Sequence, residues 1–317
     1  MTDFKSKSIL VVAATGGLAK ETLKHLIKDG ATNITITGRT LAKTNKVKGE
    51  LEAVAKHPIR ITALGGFDML NPTKIKEAVA KIATSFDIVF LGAGGVFFTD
   101  DFEIKEWKKH QVEKTVFQNL FGSHIVIQSL KKNNLLSQNA RIIIAGGEGA
   151  RGIPGMIKSP EFNNRKELRD YILNTKSLKI KYNPMDAIGV SKLFGALWIS
   201  KLASLEHKNL TAIWFTPGLT SGTNGLSGMP PIKQWFMKHI AFGLMNLIGK
   251  AQSPKKGARK FADCIQGRIG ENGDILGAPK GQTLGEITDQ KPMNKAFTNQ
   301  ELIDELWLIL EELFGEF

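Results

Sequence analysis

The chain is poor in cysteine, in tyrosine and in long apolar runs. Cys264 is the only cysteine among 317 residues, which excludes a disulfide-held scaffold and favours a reducing compartment. No run of 18 apolar residues occurs, so we expect no membrane span. The first residues lead straight into a predicted strand and lack the pattern of a signal peptide. We therefore predict a cytoplasmic protein.

Acidic residues are outnumbered by basic ones. There are 43 Lys and Arg against 30 Asp and Glu, a formal net charge of +13. The lysines are dispersed and no aromatic-and-basic motif appears, so we expect a Lys-rich surface and no nucleic-acid partner. Charged residues make up only 23% of the chain and apolar residues 42%, proportions that exclude a disordered or fibrous protein.

Strand and helix patterns alternate along the chain. Short apolar runs predict strands over 8–13, 34–37, 60–64, 87–91, 141–145 and 210–215. Helical spacing predicts helices over 20–29, 106–132 and 186–205. Strands separated by helices favour a parallel sheet with helices on both faces. We predict an α/β fold of Rossmann type, a doubly wound parallel sheet in three αβα layers, as a single domain over 1–317.

Two later segments complete the predicted domain. Residues 218–256 form a large excursion, in which Pro230 and Pro231 open an apolar helix. Thr298 and Glu301 have the spacing of a capping box, which predicts a C-terminal helix over 298–317.

A turn of small residues joins the first strand to the first helix. It contains Ala13, Thr15, Gly16, Gly17 and Leu18. Small side chains let the backbone approach a pyrophosphate, and a helix N-terminus supplies N–H groups and a positive dipole end. This position after a buried strand makes the turn a candidate dinucleotide-binding loop.

The second strand is followed by Arg39, with no acidic residue nearby. A carboxylate near this point holds the ribose hydroxyls of NAD, whereas a guanidinium suits the 2′-phosphate of NADP. The sequence therefore predicts NADP as cofactor, with NADPH preferred over NADH.

These motifs, in this order, resemble the short-chain dehydrogenase/reductase family over nearly the whole chain. The resemblance implies roles for further residues. Asp68 and Met69 correspond to positions near the adenine, and Asn119 to a helix asparagine of the proton relay. Lys192 corresponds to the lysine that holds the nicotinamide ribose. The remaining cofactor positions implied are Gly92, Ala93, Gly94, Pro217, Gly218, Leu219 and Thr220.

Two catalytic positions of the family are substituted. The family pattern Tyr-x-x-x-Lys places both side chains on one helix face, but Ile188 stands four residues before Lys192. Gly147 stands where the family has a serine. The candidates for a replacement proton donor are Tyr182, one of only two tyrosines, and Glu148, a carboxyl beside the vacated serine position.

The function is left between two alternatives. The first is an NADP-dependent oxidoreductase with an atypical site, acting on a bulky hydrophobic carbonyl, alcohol or enone. The second is a catalytically silent NADP-binding regulator or scaffold. The apolar excursion over 218–256 suggests a lid for a hydrophobic small-molecule substrate, and 231–250 is a candidate for peripheral membrane contact.

The resemblance extends to the branch of retinol dehydrogenases and protochlorophyllide reductases, and it implies a homo-oligomer. The six histidines have no close carboxylate–His spacing, so we expect no metal site.

Overall fold

The structure is a computed structural model, and it describes residues 4–206, 210–221, 229 and 249–317. Most of the predicted 218–256 excursion, including its helix and the predicted membrane-contact segment 231–250, lies outside the described residues.

The strands and helices alternate as the apolar runs predict. The strands are β1 Ser8–Val12, β2 Asn33–Thr37, β3 Arg60–Leu64, β4 Phe86–Leu91, β5 Ile104–Trp107, β6 His110–Glu113, β7 Leu136–Ala145, β8 Leu210–Phe215, β9 Ile275–Gly277 and β10 Thr288–Asp289. The helices are α1 Gly17–Lys28, α2 Leu41–Glu52, α3 Pro72–Val79, α4 Lys114–Val116, α5 Gly122–Lys132, α6 Arg165–Leu173, α7 Pro184–Leu205, α8 Pro254–Ile265 and α9 Gln300–Phe314.

Eight strands form one sheet in the order β10-β9-β8-β7-β4-β1-β2-β3. All neighbours are parallel except β10, which pairs antiparallel with β9. The order in which the chain adds strands reverses between β1 and β4, so the loops at the carboxyl ends of these two strands flank one crevice. The predicted doubly wound Rossmann-type sheet is confirmed.

Apolar side chains on the two faces of β1 explain the layers. Ile9 and Val11 pack into a core with α1 and α8, and Leu10 and Val12 into a core with α3, α5 and α7. The predicted three layers are present, and α9 packs against both α7 and α6.

One predicted helix is partly wrong. Residues 104–113, most of which were assigned to a helix over 106–132, form the hairpin β5–β6, and the turn at Lys108 has a φ of +52°. Trp107 Nε1 donates to the carbonyl of Leu313, 3.2 Å away, which holds the hairpin against α9. A contact over this distance in sequence overrides the local helical pattern. The helix starts after Glu113, whose carboxylate caps it by accepting from Val116 N at 2.7 Å.

The C-terminal helix starts one residue later than the capping box predicts. Asn299 is the N-cap and accepts from Leu302 N at 3.2 Å. Thr298 instead ends a short 3-10 turn, so the predicted capping box is wrong. Asparagine is as strong an N-cap as threonine or stronger, which explains the shift.

Helix α7 is the longest described helix, with 22 residues, and it is apolar enough by length and composition to cross a membrane. It is the one such helix in the described part of the chain. Because 67% of its apolar window is buried among other elements, its hydrophobicity is explained by a central place in the core.

We predict that Gly189→Ala in α7 destabilises the protein by about 1–3 kcal/mol. A Cβ at residue 189 would lie 2.8 Å from the carbonyl oxygen of Gly149, so helix and turn would have to separate. The free energy of unfolding, measured with denaturant, tests this.

The matched control is Gly49→Ala in α2, where an added Cβ meets nothing within 4 Å. It should stabilise the helix by about 0.5–1 kcal/mol. Equal effects of the two variants would contradict the close packing of α7.

Candidate active site

A cavity of about 350 Å³ opens at the carboxyl ends of the parallel strands. Its walls come from the turns after β1, β4, β7 and β8 and from one side of α7. The predicted site residues that line it are Gly16, Gly17, Leu18, Gly92, Ala93, Gly94, Gly147, Glu148, Ile188, Lys192, Pro217, Gly218, Leu219 and Thr220. The predicted residues outside its lining are Ala13, Thr15, Arg39, Asp68, Met69, Asn119 and Tyr182.

The turn after β1 has the shape of an anion cradle. Gly16 N donates to the carbonyl of Ala13 at 3.0 Å, and α1 begins at Gly17 with no acidic residue in its first turn. The free N–H groups of this turn therefore face the cavity with no negative charge beside them. Ala19 is small enough for α1 to approach Gly92, where an added Cβ would lie 3.5 Å from that of Ala19.

The end of β2 lies beside this turn, because Ala14 N donates to the carbonyl of Thr37 at 2.9 Å. The hydroxyl of Thr37 is buried and has no hydrogen-bond partner within the described residues. Arg39, two residues further on, is exposed.

Asp68 and Met69 follow β3. Asp68 accepts from Leu70 N at 3.2 Å, and Met69 is buried where Gly122 leaves room for it.

Lys192 forms the base of the cavity. Its Nζ donates to the carbonyl of Ala145 at 2.6 Å, which anchors α7 to the end of β7. Burial lowers the pKa of Lys192 to about 8, because an ammonium in a desolvated position is disfavoured. Glycines leave room for this side chain: a Cβ at Gly94 would lie 3.3 Å from Nζ, and one at Gly147 would lie 3.2 Å from Cγ.

Asn119 is held in place by hydrogen bonds rather than exposed to the cavity. It lies in a π-turn, Phe117–Phe121, between α4 and α5. Its amide accepts from Gly95 N and donates to Gly95 O, both at 2.9 Å, and it also donates to Ser191 Oγ at 2.8 Å. Ser191 in turn donates to the carbonyl of Ile188 at 2.8 Å. Asn119 therefore links the turn after β4 to the helix that carries Ile188 and Lys192.

Ile188 lies in an apolar part of the cavity wall. The neighbouring lining residues Ile153, Met156, Ile157 and Met185 share this character. Among the described lining residues, Glu148 and Lys192 are the two with titratable side chains.

Glu148 is buried in an ion pair with Arg151. Its Oε2 accepts from Arg151 Nε at 2.9 Å and from Nη2 at 2.7 Å, and its Oε1 accepts from Ala278 N at 3.2 Å. Burial raises the pKa of Glu148, while the guanidinium opposes the rise. Arg151 also donates to the carbonyls of Pro279 and Gln282. The pair thus joins the turn after β7 to the segment after β9.

Tyr182 lies away from this cavity. It is buried, its hydroxyl donates to the carbonyl of Phe97 at 2.9 Å, and it lines a different cavity together with Tyr171. The structure therefore does not bring the predicted tyrosine to Ile188.

Three residues of the site have no counterpart in the sequence prediction. Thr216 lines the cavity at the end of β8, and Ser191 carries the bond between Asn119 and α7. Gly146 lies under the indole of Trp214, where an added Cβ would be 2.5 Å from the ring. Ser191 could have been predicted as a site residue, because its hydroxyl stands next to Lys192 in the sequence. The contact of Gly146 with Trp214 depends on tertiary packing and has no such signal.

Comparison with known proteins agrees with this arrangement. Residues 7–157 match the family model described as short chain dehydrogenase. Over these residues, just under half of the chain, the sequence is similar to that family. The match covers β1 to β7, of which β1, β2, β3, β4 and β7 belong to the large sheet, and it stops before α7 and Lys192.

Two curated relatives are similar over shorter stretches. A 3-ketodihydrosphingosine reductase of Dictyostelium discoideum is 28% identical over 170 residues, 48% of this chain and 49% of the relative. A short chain dehydrogenase/reductase of Cryptosporiopsis sp. is 24% identical over 95 residues, 29% of each chain. The similarity thus spans about half or less of the length of these relatives.

Solved structures share the fold at low sequence identity. A short chain dehydrogenase from Burkholderia cenocepacia in complex with NADP aligns with a TM-score of 0.58 and 20% identity, covering 86% of this chain and 96% of that one. A short-chain type dehydrogenase/reductase from Mycobacterium ulcerans aligns with a TM-score of 0.59 and 16% identity, covering 99% and 97%.

Ala13 adopts a φ of +60°, in the left-handed region that a side chain disfavours. We predict that Ala13→Gly stabilises the protein by about 0.5–1 kcal/mol, the relief of strain less the greater freedom of glycine in the unfolded chain. Denaturant unfolding tests this.

Asn134→Gly is the control, since Asn134 has a similar φ of +54° but asparagine tolerates it. Its gain should be smaller. A loss of stability in Ala13→Gly would contradict the strain at residue 13.

Proposed function

We propose that this chain is an NADP-dependent oxidoreductase that acts on a bulky hydrophobic carbonyl, alcohol or enone without the usual tyrosine and serine. The supporting observation is one cavity in which the glycine turns after β1 and β4 meet Lys192 of α7. A dinucleotide cradle and a buried ammonium in one cavity suit hydride transfer to a polarised bond.

The described residues fit a dinucleotide phosphate. The first turn of α1, with Gly16 and Gly17, would hold the pyrophosphate. Arg39 would hold the 2′-phosphate, and its exposure leaves the guanidinium free to do so. When bound, the nicotinamide supplies or accepts the hydride. The NADP in the Burkholderia structure supports this proposal.

The apolar wall around Ile188 would hold the body of the substrate. Methionine and isoleucine side chains bind a hydrophobic molecule by excluding water and leave few polar contacts to orient it. The keto group in the name of the Dictyostelium relative supports a ketone as the reacting group.

Lys192 would serve as the proton donor in carbonyl reduction. Its Nζ lies beside Gly94, and with a pKa of about 8 its ammonium is both mostly protonated at neutral pH and ready to release a proton. Glu148 is less suited, because Arg151 binds its carboxylate. A general acid of this kind contributes about 10²–10⁴-fold to the rate.

The alternative is a catalytically silent NADP-binding protein. The specific observation in its favour is that isoleucine and glycine line the cavity where a tyrosine and a serine would supply hydroxyls. The two proposals share the cofactor and differ in turnover. We further propose that the protein is cytoplasmic and forms a homo-oligomer, with either activity.

We predict that Arg39→Ala weakens NADPH binding by about 10–100-fold, the usual worth of a hydrogen bond to a charged group. NADH, which lacks the 2′-phosphate, should lose less than about twofold. Calorimetric titration of both cofactors measures the difference.

Arg60→Ala is the control. Arg60 is also exposed, but it lies at the amino end of β3, whereas Arg39 follows the carboxyl end of β2. It should change neither affinity. An equal loss of affinity for NADPH and NADH in Arg39→Ala would show that Arg39 does not bind the 2′-phosphate.

We predict that kcat/KM for reduction of a hydrophobic ketone falls as the pH rises through about 8, because the Lys192 ammonium is then lost. Lys192→Met should lower kcat/KM by about 10²–10⁴-fold. Lys192→Arg keeps a positive charge to higher pH. The decrease in its remaining kcat/KM should therefore occur at a higher pH than in the wild type.

A flat wild-type profile between pH 7 and 9 would exclude Lys192 as the donor. Tight NADPH binding with no turnover of ketones or enones at any pH would favour the silent alternative.

A further inference from the structure

A second cavity, of about 460 Å³, lies on the other side of the first turns of α7. Asp186, Ala187 and Val190 line it, whereas Ile188 and Lys192 face the first cavity. Its other walls come from residues 158–162, from α6 and from residues 178–183. It is therefore a separate site, and the proposed oxidoreductase chemistry makes no use of it.

Aromatic rings form a continuous wall of this cavity. The Phe102 ring lies 4.8 Å from that of Tyr182 and 6.1 Å from that of Tyr171, and Phe162 lies 5.8 Å from Tyr171. Aromatic rings have negative faces, which attract cations that approach them in a desolvated pocket.

Tyr171 contributes a buried polar group without a protein partner. Its side chain is 7% exposed and lines the cavity, and its hydroxyl makes no hydrogen bond within the described residues. The hydroxyl is not fully enclosed by protein, which leaves it accessible to a ligand in the cavity that Tyr171 lines. A buried hydroxyl of this kind is a hydrogen-bonding position for a ligand.

Carboxylates exceed cations around the same cavity. Its acidic lining residues are Glu161, Glu167, Asp170 and Asp186, and its basic ones are Lys158 and Lys181. Asp170 is in an ion pair with Lys166, and the other three carboxylates have no ion pair with the described residues.

We propose that the second cavity binds a small organic cation, an ammonium group on an aromatic or alkyl body. The apolar body would pack on Phe102 and Phe162, and the ammonium would donate to the Tyr171 hydroxyl. The carboxylates that have no ion pair with the described residues would supply a field that favours a positive charge over a neutral group of the same shape.

The test titrates benzylammonium and benzyl alcohol separately into the full chain at pH 7, followed by calorimetry. The two probes have the same number of heavy atoms and both donate hydrogen bonds, but one is charged. We expect benzylammonium to bind and benzyl alcohol to bind at least about fivefold more weakly. Equal affinity would overturn the proposal in favour of a merely apolar cavity, and so would absence of binding by either probe at millimolar concentration.

Variants locate the binding. Tyr171→Phe keeps the ring and should weaken benzylammonium about tenfold through loss of one charge-assisted hydrogen bond. Phe102→Leu should weaken it by about three- to thirtyfold through loss of the cation–π contact. Glu161→Gln is on the surface, so it tests the charge without risk to folding, and about a twofold loss is expected.

The controls lie elsewhere in the molecule. Glu77→Gln removes an exposed carboxylate from α3, and Ile188→Ala alters the first cavity. Both should leave the benzylammonium affinity unchanged. If Ile188→Ala weakens the binding while Tyr171→Phe and Glu161→Gln do not, the cation binds in the first cavity and the proposal is wrong.

Discussion

The contact between α7 and the turn after β7 governs the architecture of the whole site. Gly149 and Gly189 approach so closely that a Cβ on either would touch the other segment. This approach lets Lys192 reach the carbonyl of Ala145 and places Ile188 in the wall of the first cavity. The same helix turns Asp186 and Val190 toward the second cavity. One helix therefore contributes to the walls of two sites, as does the segment 153–162.

Much of the fold could be predicted from the sequence because the signals were local. The strands at 60–64 and 210–215 agree with the structure residue for residue, since their apolar runs are short and bounded. The hairpin β5–β6 was missed because its pairing depends on α9, about 200 residues away in the chain. The start of α9 was misplaced for a local reason, since Asn299 and Thr298 are both good caps.

The glycine turns and the lysine of the candidate site could be predicted from the sequence. The positions of side chains that depend on tertiary packing could be predicted less well. The turns with Gly16, Gly92 and Pro217 follow strand ends, and all such ends meet at one edge of a parallel sheet. The placement of the two candidate donors could not be read from their positions in the chain. Tyr182 is only six residues before Ile188 but faces another cavity, and Glu148 is beside Gly147 but is bound by Arg151.

The ion pair of Glu148 and Arg151 has a consequence for the order in which the protein can be completed. The residues that match the family model end at 157, yet Arg151 finds a backbone partner in Pro279, 128 residues further along the chain. Glu148 likewise depends on the backbone of Ala278. During synthesis on the ribosome, the contacts of the turn after β7 with Ala278 and Pro279 can therefore form only after residues 278 and 279 have been made.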